Sequence, residues 1–242
     1  MSTAPQLQYL SASYSHVGMV RQVNEDACLE LAEAGLWVVA DGMGGHAAGD
    51  YVSSLIVDSL RRIPGAPSLA VYSNAVRAEL AQVNAMVRDQ AQLRGVAMMG
   101  STVVVLAVRG DQGICLWAGD SRLYRLRGGL LSSVSRDHSY VQELVDSGLL
   151  SDAEARLHPR GNIVTRALGV DDQLQLDSVA LQILPGDTYL LCSDGLNKTA
   201  EDHEIRDVLC HHDAYAMVRS LVHLGLTRGA PDNITAIVIK AC

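Results

Sequence analysis

The chain of 242 residues is 48% hydrophobic and 19% charged, lacks phenylalanine and carries a formal net charge of -8. This composition supports a buried core and excludes an intrinsically disordered chain. The negative charge argues against partners such as nucleic acid or an anionic membrane, because either would need a basic stripe that neutralises phosphates.

Short apolar segments bounded by Gly, Asp or Asn recur along the chain and predict β-strands. In chain order they cover residues 27–31, 36–40, 102–108, 113–117, 123–126, 174–181, 188–192 and 234–239. The nearly continuous apolar run at 102–108 indicates a strand that is covered on both faces.

Amphipathic patterns with apolar residues at steps of three and four predict helices. They cover residues 48–62, 68–94, 201–210 and 214–226. Because the helices cluster in two places while the strands run consecutively elsewhere, the pattern favours antiparallel sheets flanked by helices over an alternating βαβ array. The predicted fold class is α+β.

Between residues 135 and 169 the apolar pattern weakens, and Gly148, Pro159 and Gly161 interrupt it. We expect an excursion from the core here, with short helices at 139–147 and 151–157 followed by a basic loop. No linker composition divides the chain, so we expect a single domain over residues 1–242.

The N-terminus lacks the basic and apolar regions of a signal peptide, and the longest apolar run is too short to span a bilayer. We therefore expect a cytoplasmic protein without a membrane partner. The five cysteines are odd in number and show no CxxC spacing, which argues against structural disulfides and a zinc site.

Four apolar runs or turns each deliver an aspartate that is followed by a small or polar residue. They are Asp41, Asp120, Asp194 and Asp232. Aspartates at strand ends meet at a sheet rim and repel one another unless a cation neutralises them. Oxygen ligands without a Cys or His cluster favour Mg²⁺ or Mn²⁺ over Zn²⁺. The alternative is that Asp-Gly and Asp-Asn are ordinary turn formers.

The segment VVADGMGGHAAG matches the GxGxxA pattern of dinucleotide-binding folds from Gly42 to Ala47. We reject that interpretation because Asp41 would place negative charge beside a pyrophosphate. The expected acidic position, near Asp58, also falls inside a predicted helix. A tight turn that lets the Gly42 carbonyl reach a cation beside Asp41 explains the glycines better.

Upstream, Arg21 precedes Glu25 by four residues, and Asp26 follows directly. An ordinary surface ion pair explains this arrangement. Beside a pair of metal ions the planar guanidinium has another use, since it can bind two phosphate oxygens while Glu25 and Asp26 hold waters on the metals.

Six motifs in this order resemble the motif series of the type 2C metal-dependent protein phosphatases. They are Arg21-x-x-Asn24-Glu25-Asp26, Asp41-Gly42-Met43-Gly44-Gly45-His46, Gly100-Ser101-Thr102, Gly119-Asp120-Ser121-Arg122, Ser193-Asp194-Gly195 and Asp232-Asn233-Ile234-Thr235. The resemblance implies two packed antiparallel β-sheets flanked by helices on both outer faces, an α/β/β/α sandwich. It makes the excursion at 135–169 the flap beside the active site.

The resemblance also implies two core Mn²⁺ or Mg²⁺ ions and a third, weaker site. Asp41, Asp232 and the Gly42 carbonyl would hold the core ions, and Asp194 would bridge toward them. Asp120 would form the third site together with Asp194.

The outer residues of the site follow from the same resemblance. Glu25 and Asp26 would act through water, and Arg21 would bind the phosphoryl group. Eukaryotic members often have a His, thought to protonate the leaving alkoxide, where this chain has Met43. Met is typical of bacterial members, so water on the metals, or alternatively His46, would be the acid. From the residues alone, His46 is a structural residue at a helix start.

The implied activity is hydrolysis of phosphoserine or phosphothreonine in proteins by a water that bridges two metals. The substrates would be phosphorylated proteins, and the enzyme would be a monomer. It would oppose a bacterial Ser/Thr kinase, as the stand-alone bacterial members of the family do. Some of those members are tied to type VI secretion. One alternative is a non-catalytic member that binds phosphoproteins as a signalling module, although such chains usually lose metal-site acids. Another is a nuclease, which the acidic balance opposes.

Overall fold

The computed structural model describes the helices and strands of residues 7–44, 48–96, 98–211 and 213–242. The strands are β1 (Tyr9–His16), β2 (Asp26–Leu31), β3 (Leu36–Met43), β4 (Gly100–Ser101), β5 (Val103–Arg109), β6 (Gln112–Ala118), β7 (Arg122–Arg127), β8 (Leu130–Ser133), β9 (Asp177–Gln182), β10 (Thr188–Cys192) and β11 (Ile234–Ala241). The helices are α1 (Gly49–Arg61), α2 (Leu69–Arg94), α3 (Tyr140–Asp146), α4 (Asp152–Arg156), α5 (Asp194–Asn197), α6 (Asp202–Leu209) and α7 (Ala214–Thr227).

The strands form two sheets in which neighbouring strands run antiparallel. One sheet has the order β1-β11-β10-β7-β8, and the other has the order β2-β3-β5-β6-β9 with β4 paired to β3. The predicted α+β class with two antiparallel sheets is confirmed.

Strand β5 shows how the two sheets and the helices share the core. Val104 and Leu106 face the layer between the sheets, whereas Val103 and Val105 face the helices on the other side. Alternate side chains of a strand point to opposite faces, so a strand with both faces covered is apolar throughout. This confirms the interpretation of the continuous apolar run.

Helices cover the outer face of each sheet. The apolar stripes of α1 and α2 pack on the sheet that contains β3 and β5. On the other sheet α7 packs against β1 and β11, and α6 packs against α7 and β8. The α/β/β/α layering is therefore confirmed. None of the helices in the described ranges has the length and apolar character needed to cross a membrane.

Several elements differ from the sequence-based expectations. Strands β1, β4 and β8 and helix α5 were not predicted. Strand β9 begins at Asp177 and not at residue 174, because its pairing with β6 begins at Trp117↔Asp177. Leu174 and Leu176 precede the strand and pack against the core. Asp41 was expected after a strand but lies within β3, which continues to Met43 by pairing with β4.

The excursion between residues 135 and 169 contains the two expected short helices, α3 and α4. Ser139 and Ser151 cap their N-termini by accepting hydrogen bonds from backbone N–H groups. Isolated bridges Ser139↔Val164 and Ser101↔Leu168 attach the segment to itself and to β4. We call residues 135–169 the flap from here on.

Candidate active site

The site begins with two aspartates that face each other across neighbouring strands. Asp26 opens β2 and is paired in register with Asp41 of β3. Side chains at directly opposite positions of an antiparallel pair lie close together, and two like charges there are destabilising. Asp232 immediately precedes the short approach to β11, and Asp194 opens α5 just after β10, so both come from the opposing sheet.

Asp26 is a buried carboxylate, and only one of its two oxygens accepts a hydrogen bond from the part of the chain that the structure describes. The Ser193 hydroxyl donates to its Oδ2 at 2.7 Å, while among the described residues its Oδ1 has no partner. Burial, followed by repulsion from Asp194 and Asp232, raises the pKa of Asp26 to about 7, against the hydrogen bonds that favour its charged form. The environment therefore disfavours the ionised form of Asp26 unless a cation is bound nearby.

Asp41 is subject to the same effects more strongly. Burial comes first, and repulsion from the other four aspartates of the site also raises its pKa well above the usual range. The Ser101 hydroxyl and the Thr102 N–H both donate to the Asp41 carbonyl, each at 2.9 Å. The backbone at Asp41 is thus fixed while its carboxylate sits in a strongly negative field.

Glycines allow Glu25 to approach this pair. A Cβ on Gly42 would lie 2.1 Å from the Gly49 carbonyl oxygen and 2.7 Å from that of Glu25. A Cβ on Gly49 would lie 2.6 Å from Glu25 Oε1. The Glu25 carboxylate is therefore at the first turn of α1, where the positive end of the helix dipole favours it.

Arg21 lies at the exposed rim of the site. Its guanidinium donates to Asp232 Oδ2 at 2.8 Å, and its side chain is 52% exposed. The loop that carries it is held by Asn233, whose amide donates to the carbonyls of Val17 and Val23 at 2.8 and 3.0 Å. Asn233 Oδ1 also accepts from the Glu25 N–H at 2.8 Å. Sequence reasoning gave Asn233 no role, although it belongs to one of the motifs.

Asp120 and Asp194 are joined by a residue that sequence reasoning missed. Lys198 Nζ donates to Asp194 Oδ2 and, at 3.3 Å, to Asp120 Oδ2. Burial and the neighbouring Asp194 raise the pKa of Asp120 to about 7, although Lys198 opposes the shift. Burial would lower the pKa of Lys198, but the two carboxylates outweigh it and raise that pKa well above its usual range. The available signal was the spacing of four residues from Asp194.

The base of the flap is tied to the same turn. Arg122 forms a two-pronged ion pair with Asp137 at 2.7 and 2.8 Å. The His138 ring accepts from the Gly119 N–H, stacks on Trp117 and contacts Asp177 at 3.1 Å. The start of the flap is therefore fixed relative to Asp120.

His46, which the sequence analysis considered as an acid, lies outside the described residues, as does Gly45. Met43 is half-buried, and its Cε lies close to Gly100. A thioether has no ionisable proton, so Met43 cannot act as an acid.

The donor set fits hard divalent cations. Within the described residues, two buried carboxylate oxygens, Asp26 Oδ1 and Asp194 Oδ1, lack hydrogen-bond partners, and all the donors are oxygens. Among the same described residues, no group of three or more Asp, Glu, His or Cys side chains is arranged so that it could hold a metal ion as it stands. Arg21 contacts Asp232 Oδ2, and Lys198 contacts the Oδ2 atoms of Asp120 and Asp194, so an ion that took any of these three oxygens would have to displace the contact.

Comparisons with known sequences give a consistent result. A family model described as protein phosphatase 2C matches residues 14–224. The chain is 37% identical over 231 residues to serine/threonine protein phosphatase PstP of Mycobacterium tuberculosis, a match that covers 94% of this chain and 44% of PstP. It therefore spans less than half the length of that relative. It is 33% identical over 232 residues to protein phosphatase PhpP of Streptococcus pneumoniae, covering 93% of this chain and 94% of PhpP.

Solved structures show the same likeness. The fold matches PppA, described as a key regulatory component of T6SS in Pseudomonas aeruginosa, with a TM-score of 0.93, 69% identity and coverage of 98% of this chain and 99% of that chain. It also matches the catalytic domain of PstP in complex with two manganese ions, with a TM-score of 0.84, 34% identity and coverage of 97% and 99%.

Proposed function

This chain belongs to the protein phosphatase 2C family, and we propose that it hydrolyses phosphoserine and phosphothreonine in proteins with the help of Mn²⁺ or Mg²⁺. The observation that carries the proposal is the convergence of five aspartates from both sheets, which we call the carboxylate cluster: Asp26, Asp41, Asp120, Asp194 and Asp232. Burial first, and mutual repulsion after it, raise the pKa values of Asp26, Asp41 and Asp120. A cation that binds among these carboxylates offsets both effects. The curated relatives PstP and PhpP, which are named as protein phosphatases, support the assignment.

We assign the metal ligands as the sequence motifs imply. Asp41, Asp232 and the Gly42 carbonyl would hold two core ions, with Asp194 reaching toward them. Two bound ions would acidify a water and neutralise charge on the phosphoryl oxygens. The PstP catalytic domain, which holds two manganese ions, supports the count of core ions.

Further residues act from the edge of the cluster. Asp26, oriented by Ser193, and Glu25, at the first turn of α1, would hold water beside the ions. A third site at Asp120 and Asp194 would have to share these carboxylates with Lys198.

Arg21 is the residue that we assign to the substrate. Its half-exposed guanidinium can leave Asp232 for a phosphoryl group, because its planar fork matches two phosphate oxygens and its partner would gain a metal in exchange. Met43 leaves protonation of the leaving alkoxide to water. Catalysis then rests on positioning and charge stabilisation without a phosphoenzyme.

The partners follow from the relatives. We propose one domain over residues 1–242 that reverses the action of a bacterial Ser/Thr kinase. The 69% identity to PppA, which is described as a regulator of T6SS, favours a phosphoprotein of a type VI secretion pathway as the substrate. Phosphoproteomics of a deletion strain tests this part, and an unchanged phosphoproteome of that secretion system would contradict it.

A metal-dependence assay tests the activity itself. The purified chain is incubated with a phosphothreonine peptide in Mn²⁺, in EDTA, and in EDTA followed by excess Mn²⁺. We expect phosphate release only when Mn²⁺ is available. A non-catalytic phosphoprotein-binding member would bind the peptide without releasing phosphate, and a nuclease would degrade DNA in the same buffer.

A further inference from the structure

Lys198 lies where the carboxylate cluster meets the flap. Its ammonium donates to Asp194 Oδ2, to Asp120 Oδ2 at 3.3 Å and to Asn162 Oδ1 at 2.9 Å. A lysine ammonium has three N–H donors, so these acceptors satisfy it completely. The acceptors belong to α5, to the turn after β6 and to the flap, three segments that are distant in the sequence.

The local structure holds the Lys198 side chain in this place. Lys198 follows the single turn of α5, and its N–H donates to the Asp194 carbonyl at 2.9 Å. Residues four apart on a helical turn share one face, which directs Lys198 to the Asp194 carboxylate. The Asp120 and Asp194 side chains are only 4% and 14% exposed. Two carboxylates with so little solvent require a cation nearby.

The flap end of this contact is also fixed. Asn162 immediately precedes Ile163, whose carbonyl accepts from the N–H of Tyr140 at 2.9 Å, and Tyr140 begins α3. A shift of Asn162 is therefore transmitted to α3. Elsewhere on the flap, α4 is held by the ion pair of Arg156 with Glu201, which does not involve the carboxylate cluster.

We propose that Lys198 is a built-in cation that competes with a third divalent ion for Asp120 and Asp194, and that its displacement frees Asn162 and loosens the flap. A divalent ion and an ammonium cannot both contact the same two oxygens without strong repulsion between them. Lys198 is thus a positioning residue that couples metal occupancy to flap order. This inference rests on the assignment of Asp120 and Asp194 as metal ligands in the proposed function.

The test measures metal binding and flap order in the same set of proteins. Mn²⁺ stoichiometry and affinity are measured by titration calorimetry, and hydrogen exchange is followed across residues 159–165. Lys198→Met removes the charge and keeps the apolar stem. Lys198→Arg keeps the charge. Asn162→Ala removes only the contact with the flap.

We expect the wild type to bind two ions tightly and a third weakly. Lys198→Met should raise the affinity for the third ion by at least about tenfold, since one repelling charge is lost. Hydrogen exchange in the flap should be faster in Lys198→Met and in Asn162→Ala without any metal. Lys198→Arg should stay near the wild type in both measurements. Asn162→Ala should change the third affinity less than Lys198→Met does.

Three different failures are distinguishable. If the wild type binds two ions but Lys198→Met leaves the third affinity unchanged, the role of Lys198 is refuted while the two-metal assignment stands. Unchanged flap exchange in both Lys198→Met and Asn162→Ala refutes the coupling to the flap. If the wild type binds no Mn²⁺ at all, the proposed function fails together with this inference.

Discussion

Replacing Asp26 with asparagine should stabilise the metal-free protein and weaken its response to metal. The carbonyl of the substituted amide can still accept from Ser193, while its N–H groups would face carboxylates that now repel Asp26 Oδ1. Raising a carboxyl pKa from 3.8 to about 7 corresponds to about 4 kcal/mol of destabilisation once the group is ionised. Part of this cost is shared with the neighbouring aspartates, so we expect Asp26→Asn to stabilise by about 2–3 kcal/mol.

The sign of the effect fixes its pH window. A carboxyl group whose folded pKa is raised contributes no penalty below its unfolded pKa. The penalty grows as the pH rises from the unfolded to the folded pKa and is constant above the folded pKa. At pH 5 the penalty for Asp26 is only about 1–2 kcal/mol, and it is complete above pH 7. The advantage of Asp26→Asn should therefore be larger at pH 8 than at pH 5.

Thermal unfolding in EDTA measures this directly. A chain of this size gains about 2–4 °C in Tm per kcal/mol, so at pH 8 the Asp26→Asn variant should melt about 5–10 °C above the wild type. Saturating Mn²⁺ stabilises a protein by about 2.7 kcal/mol at 100 times Kd, and the wild type should gain more of this than the variant. Asp58→Asn, at an exposed position of α1, is the matched control and should change neither the Tm in EDTA nor the Tm in Mn²⁺. A variant that melts below the wild type in EDTA at pH 8 would refute the penalty that burial and repulsion are assigned at ionised Asp26.

Three further predictions concern the rim, the backbone and the core. Arg21→Ala should raise KM for a phosphothreonine peptide more than it lowers kcat, and steady-state kinetics with unchanged KM would contradict its role. Gly42→Ala should lower the free energy of unfolding by about 3 kcal/mol or more, because its Cβ would lie 2.1 Å from the Gly49 carbonyl oxygen. Denaturant unfolding measures this, and near-wild-type stability would show that the contact relaxes. Asp187→Asn should destabilise at pH 7 by about 1–3 kcal/mol. Burial opposes ionisation of Asp187, but hydrogen bonds led by Arg127 lower its pKa. The stability that ionised Asp187 contributes is therefore present above pH 4 and lost below it. An equal loss of unfolding free energy in the variant at pH 3 and pH 7 would contradict this.

The strands that could be predicted are those that bury apolar side chains on at least one face. Strand β10 begins and ends where its apolar run does. Strand β1 reads YLSASYSH and is rich in small and polar residues, as an edge strand can be. No apolar pattern predicts it, and it is defined by its pairing with β11. Helix α5 has four residues, too few for a helical period to be visible in the sequence.

The candidate site divides in a similar way. The carboxylates could be predicted because each follows or precedes an apolar run. The role of Lys198 depends on a flap residue that lies far away in the sequence, and no local pattern encodes that contact. Asn233 holds the loop that carries Arg21 only because β1 and β11 pair in the register His16↔Ile234. These contacts arise from tertiary structure.

The central claim is that Asp41 and Asp232 hold the metal ions on which phosphate release depends. Its most direct test is the Mn²⁺-dependent turnover of a phosphothreonine peptide by Asp41→Asn and Asp232→Asn, with Asp58→Asn as the control. Each site variant should remain folded by circular dichroism and lose at least about 1,000-fold in kcat/KM, which corresponds to about 4 kcal/mol of transition-state stabilisation. The control should match the wild type. Turnover within about tenfold of the wild type in either site variant would contradict the two-metal assignment.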